Sequence, residues 1–180
     1  VPVSMHPARK GSMSSSFDTA QNWWRDAVIY QVYPRSFADS DGDGVGDLPG
    51  ITSRLDHLVE LGVTHVEVMP LGTYGGRWGW GYDGVYWSAP QHTYGSPNDL
   101  RAFVDACHAR GLGVIVDVVY NHLGPDGNYL GLFSPRYTTP RHKTPWGDAL
   151  NFDDRGSEYV RGFFTENLLH WIHEYHIDGF

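Results

Sequence analysis

The sequence predicts an α/β fold, the N-terminal half of a (β/α)8 barrel, with strands one to four and a short inserted loop or subdomain after strand three. Two observations lead there. Short apolar segments rich in β-branched residues alternate with amphipathic helical segments in the order β-α-β-α-β-loop-α-β, and strands apolar on both faces belong to parallel sheets covered by helices. Polar residues gather just past the C-terminal ends of successive strands, where a barrel assembles its ligand chemistry from several loops. A doubly wound sheet shares the element order and fits within 180 residues, whereas a complete barrel needs about 250. That alternative calls for a glycine-rich phosphate turn after the first strand. The candidate, "DGDGVGD" at 41–47, sets acid where a phosphate would approach.

Each element follows from its own pattern. "AVIYQVYP" (27–34) predicts a buried strand closed by Pro34. Ile51, Leu55, Leu58 and Val59 recur at helical spacing, with Gly62 as C-cap. "VTHVEVMP" (63–70) is the second strand, closed by Pro70, and a Gly- and Trp-rich loop follows. "SPNDLRAFVDACHARG" opens a helix with Ser96 as N-cap, Pro97 in the first turn and Asp99 completing a capping box. Its apolar stripe is Leu100, Phe103, Val104 and Cys107. "LGVIVDVVYNH" (112–122) is the third strand. Residues 123–157 are long for a simple connection and predict a functional or inserted region. Val160, Phe163, Phe164, Leu168, Trp171, Ile172 and Tyr175 then mark a helix, and "HIDGF" (176–180) begins a fourth strand. Cys107 and Trp171 lie on apolar helix faces and are expected in the core. Residues 1–22 predict a disordered tail or linker, and 23–180 the partial barrel.

Composition narrows the function. A formal charge of −8 supplies no basic face for phosphates, so nucleic acid is not an expected partner. No apolar run reaches the ~20 residues of a membrane span, and a cytoplasmic location is the default expectation. The aromatic content of 14% suits sugar-stacking surfaces and ordinary cores alike.

"ADSDGDGVGDLPG" (38–50) sets Asp39, Asp41, Asp43 and Asp47 close together, with Val45 interrupting the alternation. A solvated acidic loop is one reading. An EF-hand is another, but Gly50 stands where its bidentate Glu belongs and a strand precedes the loop, so a true EF-hand is excluded. The third is a structural Ca²⁺ loop of EF-hand type, using Asp39, Asp41, Asp43, the Val45 carbonyl and Asp47. Clustered carboxylates repel unless a hard cation collects them, and oxygen-only ligands favour Ca²⁺ over Zn²⁺.

Four segments carry a resemblance. "DVVYNH" (117–122) is similar to the first signature of the α-amylase family, glycoside hydrolase family 13; "GYDGVY" (81–86) resembles its glucose-platform segment and "YQVYPRSF" (30–37) its first barrel strand. "HIDGF" resembles the start of its second signature. Residues 23–62, acidic loop included, resemble the α-glucosidases of the family, while residues 63–180 resemble its malto-oligosyltrehalose trehalohydrolases; a chimera would explain the mixture. The resemblance implies a retaining hydrolase of α-glucans or malto-oligosaccharide derivatives. It makes Tyr82 the ring on which glucose stacks, Asp83 an acceptor for sugar hydroxyls and His122 a donor to the 6-hydroxyl. Asp117 and Asn121 would hold the strand end in shape. No catalytic residue is expected within the chain. The nucleophile would follow Phe180 in an Arg-x-Asp, with the general acid and the remainder of the barrel beyond, so these 180 residues are expected to be inactive alone. A non-catalytic glucan-binding or purely structural half-barrel is the alternative.

Overall fold

The computed structural model describes residues 23–180, so the expected tail at 1–22 lies outside the described residues. Its elements are α1 (Trp23–Asp26), β1 (Ile29–Val32), α2 (Pro34–Phe37), α3 (Leu48–Thr52), α4 (Leu55–Glu60), β2 (His65–Val68), β3 (Gly72–Tyr74) and β4 (Gly84–Pro90). There follow a 3-10 turn (His92–Tyr94), α5 (Pro97–Ala109), β5 (Gly113–Val116), α6 (Leu130–Phe133), β6 (Thr138–Thr144), β7 (Gly147–Leu150) and α7 (Ser157–Tyr175).

The frame is a parallel sheet in the order β1-β2-β5, in which Ile29 pairs with His65 and His65 with Gly113. Parallel neighbours need long crossovers, and the helices supply them. Val32, Val66, Val68, Val114 and Val116 of the strands pack with Leu55, Leu58, Leu100, Phe103, Cys107 and Trp171 of the helices. The predicted N-terminus of α5 is present in full: Ser96 Oγ accepts from the Asp99 amide, and the Asp99 carboxylate accepts from the Ser96 amide. Its stripe Leu100, Phe103, Val104 and Cys107 is buried throughout. Gly62 follows α4 in the left-handed conformation (φ 79°) that ends helices most easily on glycine.

The structure departs from the sequence expectations in five places. First, within the predicted buried strand at 27–34, β1 exposes Ile29, Tyr30 and Gln31 and buries Val32 alone of its four residues, because among the described residues it has a neighbour on one side only. Second, the helix expected from Ile51 to Val59 is broken into α3 and α4. Thr52 Oγ1 donates to the Leu48 carbonyl and Ser53 Oγ to that of Gly50, side-chain bonds that compete with the helical ladder. Third, the Gly- and Trp-rich loop contains the antiparallel pair β3–β4. Fourth, Phe163 and Ile172 of α7 are exposed, and Asn167 takes the buried place between Phe164 and Trp171. Fifth, the strand expected at 176–180 makes a single bridge, Ile115 to Gly179. It is clasped to β5 all the same. The Asp178 carboxylate accepts from the Val114 amide at 2.7 Å and contacts His108 Nε2 at 2.8 Å, and the Gly179 carbonyl accepts from the Val116 amide.

Residues 123–157 form structure of their own, α6 and the β6–β7 hairpin. A second apolar cluster of Trp87, Leu150, Val160 and Phe164 ties this hairpin to β4 and α7. The hairpin turn is thereby carried toward the C-terminal end of the sheet, where Trp146 meets His122. Among the described residues no helix is long and apolar enough to cross a membrane.

Candidate functional site

Past Val116 the third strand leaves its ladder after one last bond, the Asp117 amide to the Val68 carbonyl. Asp117, Tyr120, Asn121 and His122 then line an open cleft of about 1040 Å³ together with Tyr33 and Gln31 from the first strand segment, Met69 after β2, Tyr82 and Trp80. Trp146 completes it from the hairpin. The expected convergence of strand ends is therefore present, with one more aromatic wall than the sequence indicated.

Each cleft residue is held from behind. The Tyr82 hydroxyl donates to Asp117 Oδ2 at 2.6 Å, so the two expected site residues form one unit. That bond to an anion, with partial burial and the Asp117 charge itself, pushes the Tyr82 phenol up to about 12, because ionisation would forfeit the bond and set two negative charges together. In the neutral ring His122 Nδ1 donates to the Asn121 amide oxygen at 2.9 Å, which leaves Nε2 to accept. With the Asn121 amide turned the other way its Nδ2 would donate to Nδ1, and Nε2 of the neutral ring would be the donor expected toward a sugar. The imidazole lies nearly parallel to Trp146, centroids 4.4 Å apart. Tyr120 turns its hydroxyl away to Asn167 Oδ1, and Asn167 Nδ2 donates to Ser88 Oγ, so one buried amide spans α7, β4 and the strand end. The signal for Asn167 was its place in the apolar stripe, three residues after Phe164 and four before Trp171. Gln31 donates to Glu67 across β1–β2 at a paired position.

Asp83 stands apart. Its side chain is exposed, lines no part of the cleft and makes no hydrogen bond among the described residues. Its backbone is what the fold uses: a Cβ on Gly124 would lie 2.0 Å from the Asp83 carbonyl oxygen. Only glycine lets the segment after the third strand press against the turn that carries Tyr82.

The structure divides the four acids of the first loop. Carboxylate oxygens of Asp39, Asp41 and Asp43 lie within 4.8 Å of one another, all exposed. Asp39 accepts from the amides of Gly44, Gly42 and Asp41, and the first two hold its carboxyl below the usual range. Asp41 accepts from the Asp43 amide and Asp43 from that of Val45. Asp47 serves elsewhere as the N-cap of α3. Its Oδ1 accepts from Gly50, and its Oδ2 from the amide and hydroxyl of Ser40. The signal was local, since "DLP" places an N-cap acid two residues before a first-turn proline.

The α-amylase catalytic-domain family profile matches residues 31–136. This chain belongs to the α-amylase family. Malto-oligosyltrehalose trehalohydrolase of Saccharolobus solfataricus is 47% identical over 155 residues, covering 86% of this α-amylase-family chain and 27% of that protein. The enzyme of the same name from Arthrobacter ramosus is 44% identical over 93% of the chain and 30% of its own length. That coverage reaches into the segment 23–62 as well as the segment 63–180. The pullulanase of Paenibacillus barengoltzii, solved in complex with maltohexaose and α-cyclodextrin, superposes with a TM-score of 0.74 at 29% identity over 86% of the chain and 30% of its own. The α-amylase-family chain thus spans less than a third of the length of these relatives.

One expectation concerns the Tyr82–Asp117 bond of this family member directly. The phenolate absorbance assigned by difference against Tyr82→Phe titrates near pH 12 in the native chain, against 10.0 for an unperturbed tyrosine. Because the folded value is raised, the stability this group contributes is complete below the unfolded value and is lost as pH rises through the folded one. Asp117→Asn brings the titration back toward the ordinary value; an unchanged titration in that variant would contradict the assignment.

Proposed function

We propose that this chain forms the sugar-gripping part of a retaining α-glycoside hydrolase acting on malto-oligosaccharide derivatives, with a malto-oligosyltrehalose the favoured substrate class. The observation that carries the reading is the Tyr82–Asp117 unit set at the strand ends in one cleft with Trp80 and Trp146. Glucose rings have apolar faces and hydroxyl edges. Exposed indole and phenol faces take the former, and charged or amide groups at the rim take the latter. Asp83 lies outside the cleft lining and, among the described residues, has no side-chain hydrogen bond, so the reading gives it at most hydroxyls that project beyond the cleft. Asn121 sets the His122 tautomer. Similarity to two trehalohydrolases over most of the chain supports the substrate class.

Glycoside hydrolysis requires two carboxylates flanking the scissile bond. Asp117 is committed to Tyr82, so the reading assigns it to grip and to neither of these roles. Binding of the sugar is what the reading expects of these residues. Isothermal titration with maltohexaose tests the grip: saturable heat, with affinity about tenfold or more weaker in Tyr82→Ala, is expected. No heat with maltohexaose or maltotriosyltrehalose would sink the reading in favour of a purely structural half-barrel.

The acidic loop is assigned one structural Ca²⁺. The donor set fits a hard cation, with three carboxylates together and glycines in left-handed conformation at 42 and 44. Asp39, Asp41 and Asp43 would hold it with the Val45 carbonyl, while Asp47 keeps the loop closed as helix cap. A cation at a hundred times its Kd stabilises the folded chain by about 2.7 kcal/mol. Calcium chloride is therefore expected to raise Tm, EDTA to reverse the gain, and Asp39→Asn to abolish the response. A Tm indifferent to calcium in the unaltered chain would remove the ion from the account.

A further inference from the structure

Residues 76–80 bring Trp80 to the aromatic wall of the cleft, yet among the described residues no backbone-to-backbone hydrogen bond anchors them. Left-handed glycines bracket the loop, Gly76 (φ 78°) at its start and Gly81 (φ 92°) just past it. Such a segment has little of its own to fix it, and Trp78 at its tip is 74% exposed. What holds it is a set of side chains. The hydroxyls of Tyr33 and Tyr74 donate to the Gly79 carbonyl at 3.0 and 3.3 Å. Arg77 reaches Asp43 of the acidic loop at 3.2 Å to the carbonyl and 3.4 Å to the carboxylate.

The most committed of these groups is Arg35. Its Nη1 donates to the Arg77 carbonyl at 2.5 Å, and its guanidinium carbon lies 3.8 Å from the centre of the Trp78 ring. A planar guanidinium can do both at once, donating in its plane and stacking through its face; an ammonium cannot. Its backbone is fixed as well, because it lies in α2 directly after β1 and its carbonyl accepts from the Gly46 amide at 2.6 Å. Arg35 thus stands on the frame and grips the loop.

We infer that Arg35 is a positioning residue that holds the Trp78–Tyr82 loop against the sheet and so sets the aromatic wall of the cleft. It does not line the cleft and acts through Trp78, Gly79 and Trp80. The wall's position stands on the contacts just given; only its consequence for sugar rests on the function proposed above.

Two readouts test this separately. Acrylamide quenching of tryptophan fluorescence, measured on the whole chain without sugar, is expected to rise in Arg35→Ala with Tm changed by no more than a few degrees. The rise should vanish in a Trp78→Phe background. Arg35→Lys, which can still donate to the Arg77 carbonyl but not stack, should fall between. Maltohexaose titration is then expected to show severalfold weaker affinity in Arg35→Ala, with partial recovery in Arg35→Lys. Unchanged quenching in Arg35→Ala, or a quenching rise that tracks a large fall in Tm and persists in the Trp78→Phe background, would overturn the positioning role. A quenching rise as expected, in a chain that binds no maltohexaose at all, would uphold the positioning role and defeat the glucan reading instead.

Discussion

Trp171→Ala is expected to lower the unfolding free energy by about 3–5 kcal/mol, the range for removing a large aromatic side chain from a close-packed core. Trp171 is 2% exposed and belongs to the same cluster as Val114, Val116 and Phe103. Its ring lies 5.1 Å from that of Tyr175 on the same helix, and its backbone carbonyl accepts from the Ile177 amide as the chain turns toward β5. The loss therefore strikes the α7–sheet contact and the start of the fourth strand together. Urea unfolding followed by circular dichroism measures it. A change below about 1 kcal/mol would mean that α7 is not seated on the sheet as described.

Tyr82→Ala carries the largest expected effect on binding, about tenfold or more in maltohexaose affinity, or at least ~1.4 kcal/mol. Two losses combine. On the proposed function the sugar loses the ring on which it would stack, and Asp117 loses the donor that satisfies one of its oxygens at the strand end. Tyr82→Phe separates them, because the ring remains and the hydrogen bond is removed. Affinity in Tyr82→Phe between that of the parent and that of Tyr82→Ala is the expected order. Equal affinity in all three chains would show that Tyr82 does not face the sugar.

How much of this was legible in the sequence depended on whether a feature is decided locally. The capping box at Ser96 and Asp99 and the glycine after α4 are local, and both are present as expected. The parallel order of the sheet followed from apolar strands alternating with helical stripes, a pattern that only a covered sheet can bury. Burial of the first strand was not local: Ile29 and Tyr30 have the composition of a buried strand, but what covers them is decided by neighbours in space. The same holds at the site. Tyr82 and Asp117 were each marked by their motifs, but no spacing rule joins residues 35 apart in sequence by a 2.6 Å bond. Trp146 and Asn167 were missed because one arrives on a distant hairpin and the other sits polar within an apolar stripe. Asp47 was grouped with its acidic neighbours by charge, although its immediate context as a helix cap was the stronger cue.

The parallel pairing of β1 with β2 also dictates an order of events during synthesis. The Val28 amide must wait for Thr64, 36 residues later in the chain, before it has its partner. At ribosomal rates of about 5–20 residues per second, that is an interval of roughly 2–7 s. Through it "AVIYQV" leaves the exit tunnel before β2, its parallel partner in the sheet, has been made. The turns around Gly42 and Gly44 and the cap at Asp47 close within a few residues, so they can form in that interval. The acidic loop can therefore reach its shape before the sheet exists, and it follows the nascent apolar strand with an exposed, charged segment.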